Sequence, residues 1–94
     1  SNRSTTIKMG NETRDVKMGD FTLKCDLGNI TLEAMQKITL KVGQSTIVID
    51  QMGITLKAMT ITEEAQLMHK TKAVMVEETA DAMVKVQGGI VMIN

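Results

Sequence analysis

Lys37–Ala58 reads KITLKVGQSTIVIDQMGITLKA and holds three short alternating runs, Ile38–Val42, Thr46–Asp50 and Ile54–Ala58. They are separated by Gly43–Gln44 and by Gln51–Met52–Gly53. Side chains of a strand alternate faces with a period of two, so Ile38, Leu40 and Val42 share one side. Ile47 and Ile49, then Ile54, Leu56 and Ala58, continue that side if each turn keeps the face. Thr39, Lys41, Asp50, Thr55 and Lys57 take the other. The reading is therefore β-strand, with one apolar and one polar face.

Working outward, the same unit recurs. Met9–Gly10–Asn11, Met18–Gly19–Asp20 and Leu27–Gly28–Asn29 stand nine residues apart. A second signature appears as Phe21–Thr22–Leu23–Lys24, Ile30–Thr31–Leu32–Glu33, Ile38–Thr39–Leu40–Lys41 and Ile54–Thr55–Leu56–Lys57, with weaker copies at Ile47–Asp50 and Ile61–Glu63. Self-similarity at a period of seven to nine residues points to a β-helix or solenoid. Glycine suits the corner between short strands because it tolerates positive φ. Its place ahead of Asn, Asp or Gln differs from the Asn-Gly order of many hairpins, so the corners are expected to wind the chain rather than fold it back. Thr62–Met83 has helix-compatible residues, but its β-branched Thr71, Val74, Val76, Thr79 and Val84 favour strand.

Composition bounds the class. Of the 94 residues, 43% are apolar, yet Phe21 is the one aromatic and Cys25 the one cysteine. A core without large rings must be narrow, filled by Ile, Leu, Val, Met and Ala. A thin ladder of short strands buries too little per chain to hold itself, so oligomerisation is the expected remedy. Eleven basic and eleven acidic residues cancel, which leaves no footprint for nucleic acid. No apolar run reaches the ~18 residues of a membrane span. Ser1–Asn2 reads as a tag remnant, residues 1–6 as a frayed leader, and 7–94 as one domain cut from a larger protein.

GQSTIVIDQMGITLKA, the degenerate ladder after it and the closing GGIVMIN resemble the C-terminal spike of the valine-glycine repeat protein G family of type VI secretion systems. That spike is similar in design to the needle of contractile phage tails. The likeness spans roughly residues 15–94, although the spacing of seven to nine departs from the family's strict octapeptide. It implies an all-β homotrimer, an intertwined triple-stranded β-helix shaped as a triangular prism. Its axis would be lined by Phe21, Leu23, Ile30, Leu32, Ile38, Leu40, Val42, Ile47, Ile49, Ile54, Leu56 and Ile61. The blunt end, Ile90, Val91, Met92, Ile93 and Asn94, would receive a tip protein with proline-alanine-alanine-arginine repeats, or an effector. Further implied partners are a tube protein, met through an N-terminal part absent here, and transiently the target membrane. The implied setting is a bacterium whose cytoplasm assembles the machine before translocation into a target cell. The alternative reading is a passive trimeric stalk of a phage fibre or surface protein. A closing Ile-Asn reads as a natural stop and favours the spike.

No cofactor and no catalysis are expected: one His and one Cys form no triad, paired-carboxylate or metal-ligand cluster. His69 reads as a hydrated surface residue. Its alternative is an axial ligand, since threefold symmetry would gather three imidazoles around one ion. Cys25, in phase with Phe21 and Leu23, reads as a small buried apolar residue. The nine methionines read as flexible filler of an irregular core. Lys24, Glu33, Lys41 and Lys57 read as solubility and register. The Thr22, Thr31, Thr39 and Thr55 column lacks the second rank of threonines that an ice-binding face needs.

Overall fold

A computed structural model describes residues 2–94; Ser1, the first residue of the expected tag remnant, lies outside the described residues. Three strands are hydrogen-bonded to one another: β1 (Lys37–Val42), β2 (Ser45–Asp50) and β3 (Ile54–Lys57). They match the three alternating runs to within one residue at each end. The chain is all-β, and among the described residues there is no helix, Thr62–Met83 included. The segment is not a strand either, contrary to the reading from its β-branched residues, because it has no ladder partner.

The three strands form an antiparallel meander, with β2 central. Here the structure corrects the expectation that the glycine corners only wind the chain. Val42 pairs with Ser45, so Gly43–Gln44 closes a two-residue hairpin. Gly43 has φ +57° and no non-glycine residue has positive φ. Positive φ at the first central position alone defines the type II′ turn, for which Gly-first order is the right chemistry. The order Gly-Gln therefore signals a hairpin of the second primed class, which the comparison with Asn-Gly alone does not reveal.

The second turn is built by Asp50. Its Oδ1 accepts from the backbone N–H of Met52 and of Gly53, each at 3.0 Å. The Asp50 N–H donates to the Gly53 carbonyl, also at 3.0 Å. A short carboxylate that captures amides two and three residues on replaces the ladder bonds that end here. Gln51 then donates from Nε2 to the Met35 carbonyl at 2.9 Å, tying this turn to the approach to β1.

Outside the meander no described residue belongs to a strand, so the signature copies Phe21–Lys24 and Ile30–Glu33 are not strands within one chain, and the backbone bends at a steady interval. Bends fall at 8–10, 17–19, 26–28 and 35–36, then after the two turns at 59, 66–67, 74, 81–82 and 89–90. Gly10 and Gly19 have almost the same φ, 102° and 103°, so the first two nine-residue copies turn alike, whereas Gly28 of the third copy lacks positive φ. The chain extends over 55 × 32 × 32 Å with a radius of gyration of 19.7 Å. A compact chain of this length would have about 12 Å and an unfolded one about 30 Å.

The two turns differ in what a methyl group would do. Gly43→Ala forces an L-residue into positive φ and should destabilise the protein by about 1–3 kcal/mol. Gly53 lacks positive φ and an added Cβ meets nothing within 4 Å, so Gly53→Ala should be nearly neutral. Denaturant midpoints of the two variants, measured side by side, test the turn assignment.

Candidate interaction surfaces

The register decides which side chains share a face. Ile38 stands opposite Ile49, and Ile49 opposite Ile54. Leu40 stands opposite Ile47, and Ile47 opposite Leu56. These two wholly apolar cross-strand rows share one face, as alternation within each strand requires, and the Val42–Ser45 pair completes it beside the turn. The opposite face carries the rows Thr39–Val48–Thr55 and Lys41–Thr46–Lys57, with Lys37 across from Asp50.

Burial is inverted relative to a finished sheet. Within the meander only Ile38, Thr46 and Val48 are half-buried, and the last two belong to the polar face. Thr46 lies between the long stems of Lys41 and Lys57, which shade it. The apolar face has no such cover: Ile47 and Ile49, in its middle, are 40% and 42% exposed, and Ile54 is 69% exposed. No side chain among the described residues is fully buried. An open hollow of about 410 Å³ borders the sheet, its apolar lining supplied by Leu40, Val42, Ile47, Leu56, Ala58 and Ile61.

The total surface states the same imbalance in area. One chain exposes 11046 Å². A folded monomer of 10.3 kDa would expose about 5,400 Å² and the unfolded chain about 15,000 Å². The excess of roughly 5,600 Å² per chain exceeds what one ordinary docked partner covers. Backbone groups are equally short of partners. β1 and β3 each keep one unpaired edge, and the extended segments on either side of the meander carry no ladder. Uncovered apolar area and unpaired amides both call for further strands.

The remaining expected core residues, Phe21, Leu23, Ile30, Leu32 and Ile61, alternate along extended segments and are exposed in the single chain. Four methionines at the bends, Met9, Met18, Met52 and Met59, are 91–99% exposed, so they fill nothing within one chain. Cys25 is exposed rather than buried, with its Sγ close to Gly28. Ile90, Val91, Met92 and Ile93 form a contiguous exposed apolar stretch just past the 89–90 bend. His69 Nε2 lies 3.2 Å from Glu63 Oε2, where its N–H can donate, and both side chains are exposed. Among the described residues no group of three or more His, Cys, Asp or Glu is placed to hold a metal ion. Among the described residues no helix is long and apolar enough to cross a membrane.

Compared with protein-family models, curated proteins and solved structures, the chain matches none. Its function is therefore read from these surfaces.

The inverted burial makes the two faces separable by mutation. Ile47→Asp places a carboxylate in the middle of the apolar face and should abolish association. Thr39→Glu on the polar face, beside Lys37 and Lys41, should leave it intact. Sedimentation velocity on the two variants distinguishes them: equal effects from both would remove the apolar face as the contact surface.

Proposed function

We propose that this chain is a structural element, a rigid homotrimeric rod serving as the membrane-puncturing spike of a type VI secretion or related contractile machine. The observation that carries the reading is the continuous apolar face that one chain leaves uncovered. Three copies of the meander, one per side, would close a prism of triangular section with these faces inward. A six-residue strand spans about 20 Å, which sets the side of that prism. Phe21, Leu23, Ile30, Leu32 and Ile61 would continue the axial core beyond it.

The dimensions support a three-chain winding. Eleven corners spread over 55 Å give an advance of about 5 Å per corner, close to the strand spacing of ~4.8 Å. A triangular winding would return to the same side three spacings higher, about 14 Å. Two strands fit in that gap, one from each of two other copies. The same strands would satisfy the amides that one chain leaves unpaired and remove the open edges. A rod so closed resists bending, because its backbone bonds run between strands along its whole length. Its antiparallel meander departs from uniform winding and places a sheet collar partway along the rod.

The end formed by Ile90–Asn94 is the site where a tip protein with proline-alanine-alanine-arginine repeats, or an effector, would seat. Four adjacent apolar side chains there need cover, and a flat apolar end suits a broad, shallow partner. In this reading a tube protein meets a part of the protein outside this chain. The rod forms in the bacterial cytoplasm and crosses a target membrane when driven. It needs no cofactor and performs no catalysis; its work is mechanical.

Light scattering before and after treatment with detergent tests the rod. The expected result is a mass of three chains that survives unheated detergent, whereas a folded monomer would sink the proposal. A second measurement tests the tip. Removal of residues 89–94 should abolish capture of a proline-alanine-alanine-arginine repeat protein while leaving the trimer mass unchanged. Retained capture would place that partner elsewhere.

A further inference from the structure

Counted from Glu12, Phe21, Ile30, Ile38, Ile47, Ile54 and Ile61, the residue three places on is charged, and its sign alternates over these seven positions. In chain order these residues are Asp15, Lys24, Glu33, Lys41, Asp50, Lys57 and Glu64. Solubility alone requires charge at such positions, but it does not require alternation. Two residues further on the first two copies alternate again, with Lys17 in one and Asp26 in the next. At these positions segment 11–17 carries minus then plus and segment 20–26 plus then minus, while the further charges Glu12, Arg14 and Asp20 would meet Phe21, Leu23 and Asn11 at the same nine-residue offset.

The structure shows how these charges stand. Lys17 Nζ is 3.1 Å from Asp15 Oδ2, and Lys24 Nζ is 3.3 Å from Asp26 Oδ1. Residues i and i+2 of an extended segment share a face, so each pair forms a small exposed dipole along its segment. Within one chain Asp15 and Lys24 make no ion pair with each other, and neither segment has a ladder partner. Both segments thus offer free backbone edges and charge patterns of opposite polarity.

We propose that the alternating charges set the stagger between copies of this chain, placing each segment beside the next-numbered segment of a neighbouring copy. With segment 11–17 beside segment 20–26 of the second copy, Asp15 faces Lys24 and Lys17 faces Asp26. With copies in direct register, Asp15 faces Asp15 and every later position repeats the conflict. Like charges directly opposite on adjacent strands destabilise, and opposite charges stabilise. The alternation therefore excludes a stagger of zero or two segments and admits one or three. Flat strands with few side-chain constraints slip register easily, and a column of near-identical Ile-Thr-Leu units offers little else to prevent it. The meander obeys the same rule by other means: Lys37 faces Asp50, and Thr46 separates Lys41 from Lys57.

This inference rests on the assembly of copies proposed above, and its test keeps the two apart. In the full chain with Glu33→Gln, which removes the next charge in the column, one variant adds Asp15→Lys with Lys17→Asp. A second adds Lys24→Glu with Asp26→Lys, and a third adds all four. Net charge is the same in all three, composition differs by no more than one Glu in place of one Asp, and each segment keeps its own ion pair. Each single swap should lower the melting temperature by roughly 5 °C at low salt, and the fourfold swap should restore it. The loss should shrink as salt is raised. Swaps that act independently, with no recovery in the fourfold variant of an assembled protein, overturn the stagger alone. A parent chain that sediments as a monomer overturns the assembly itself and any stagger with it.

Discussion

One apolar sheet face with nothing laid over it governs this structure. Ile38, Ile49 and Ile54 form one row and Leu40, Ile47 and Leu56 the next, and both rows remain open to solvent in the single chain. Apolar area of this kind is stabilised only when water leaves it. Among the described residues no helix packs on the sheet, and only Ala58, Thr60 and Ile61, just past β3, border the same hollow. Everything else follows from that shortage, including the large surface, the elongated shape and the unpaired edges of β1 and β3.

The local elements, by contrast, are complete in themselves. The type II′ turn at Gly43–Gln44 and the carboxylate-capped turn at Asp50–Gly53 satisfy their own backbone groups. Cross-strand Ile and Leu pairs then hold the register of the meander. This separation has a mechanical sense in the proposed rod. A meander that can form within one chain supplies a sheet unit for assembly, and the open segments around it are then completed by other copies. The charges along those segments would select which copies align, since a repeating apolar unit is poor at telling one register from another.

Strand positions were legible in the sequence because alternation is a local property. Ile38–Val42, Thr46–Asp50 and Ile54–Ala58 each display it within five residues, and the structure moves their ends by no more than one. The direction of the chain at the corners was less legible. Gly43–Gln44 folds back whereas Gly10 and Gly19 occupy bends with no hairpin, although all three glycines have positive φ. What separates them is the length of ladder that can form on both sides. β1 and β2 bring six paired positions to the turn, and Met9–Gly10 or Met18–Gly19 brings none. Cys25 shows the same limit: its phase with Phe21 and Leu23 suggests burial, but burial requires a neighbour that one chain lacks.

The sequence by itself determined the all-β character, the period of the corners, the apolar and polar faces and the alternation of charge, because each is written in neighbouring side chains. Only the tertiary structure decided that Lys37–Lys57 forms an antiparallel meander, that its apolar rows stack in register, and that they stay uncovered. Those outcomes depend on which strand finds which, and on how much surface is left afterwards. Pairing and residual area are sums over distant parts of the chain, and no short stretch of residues carries them.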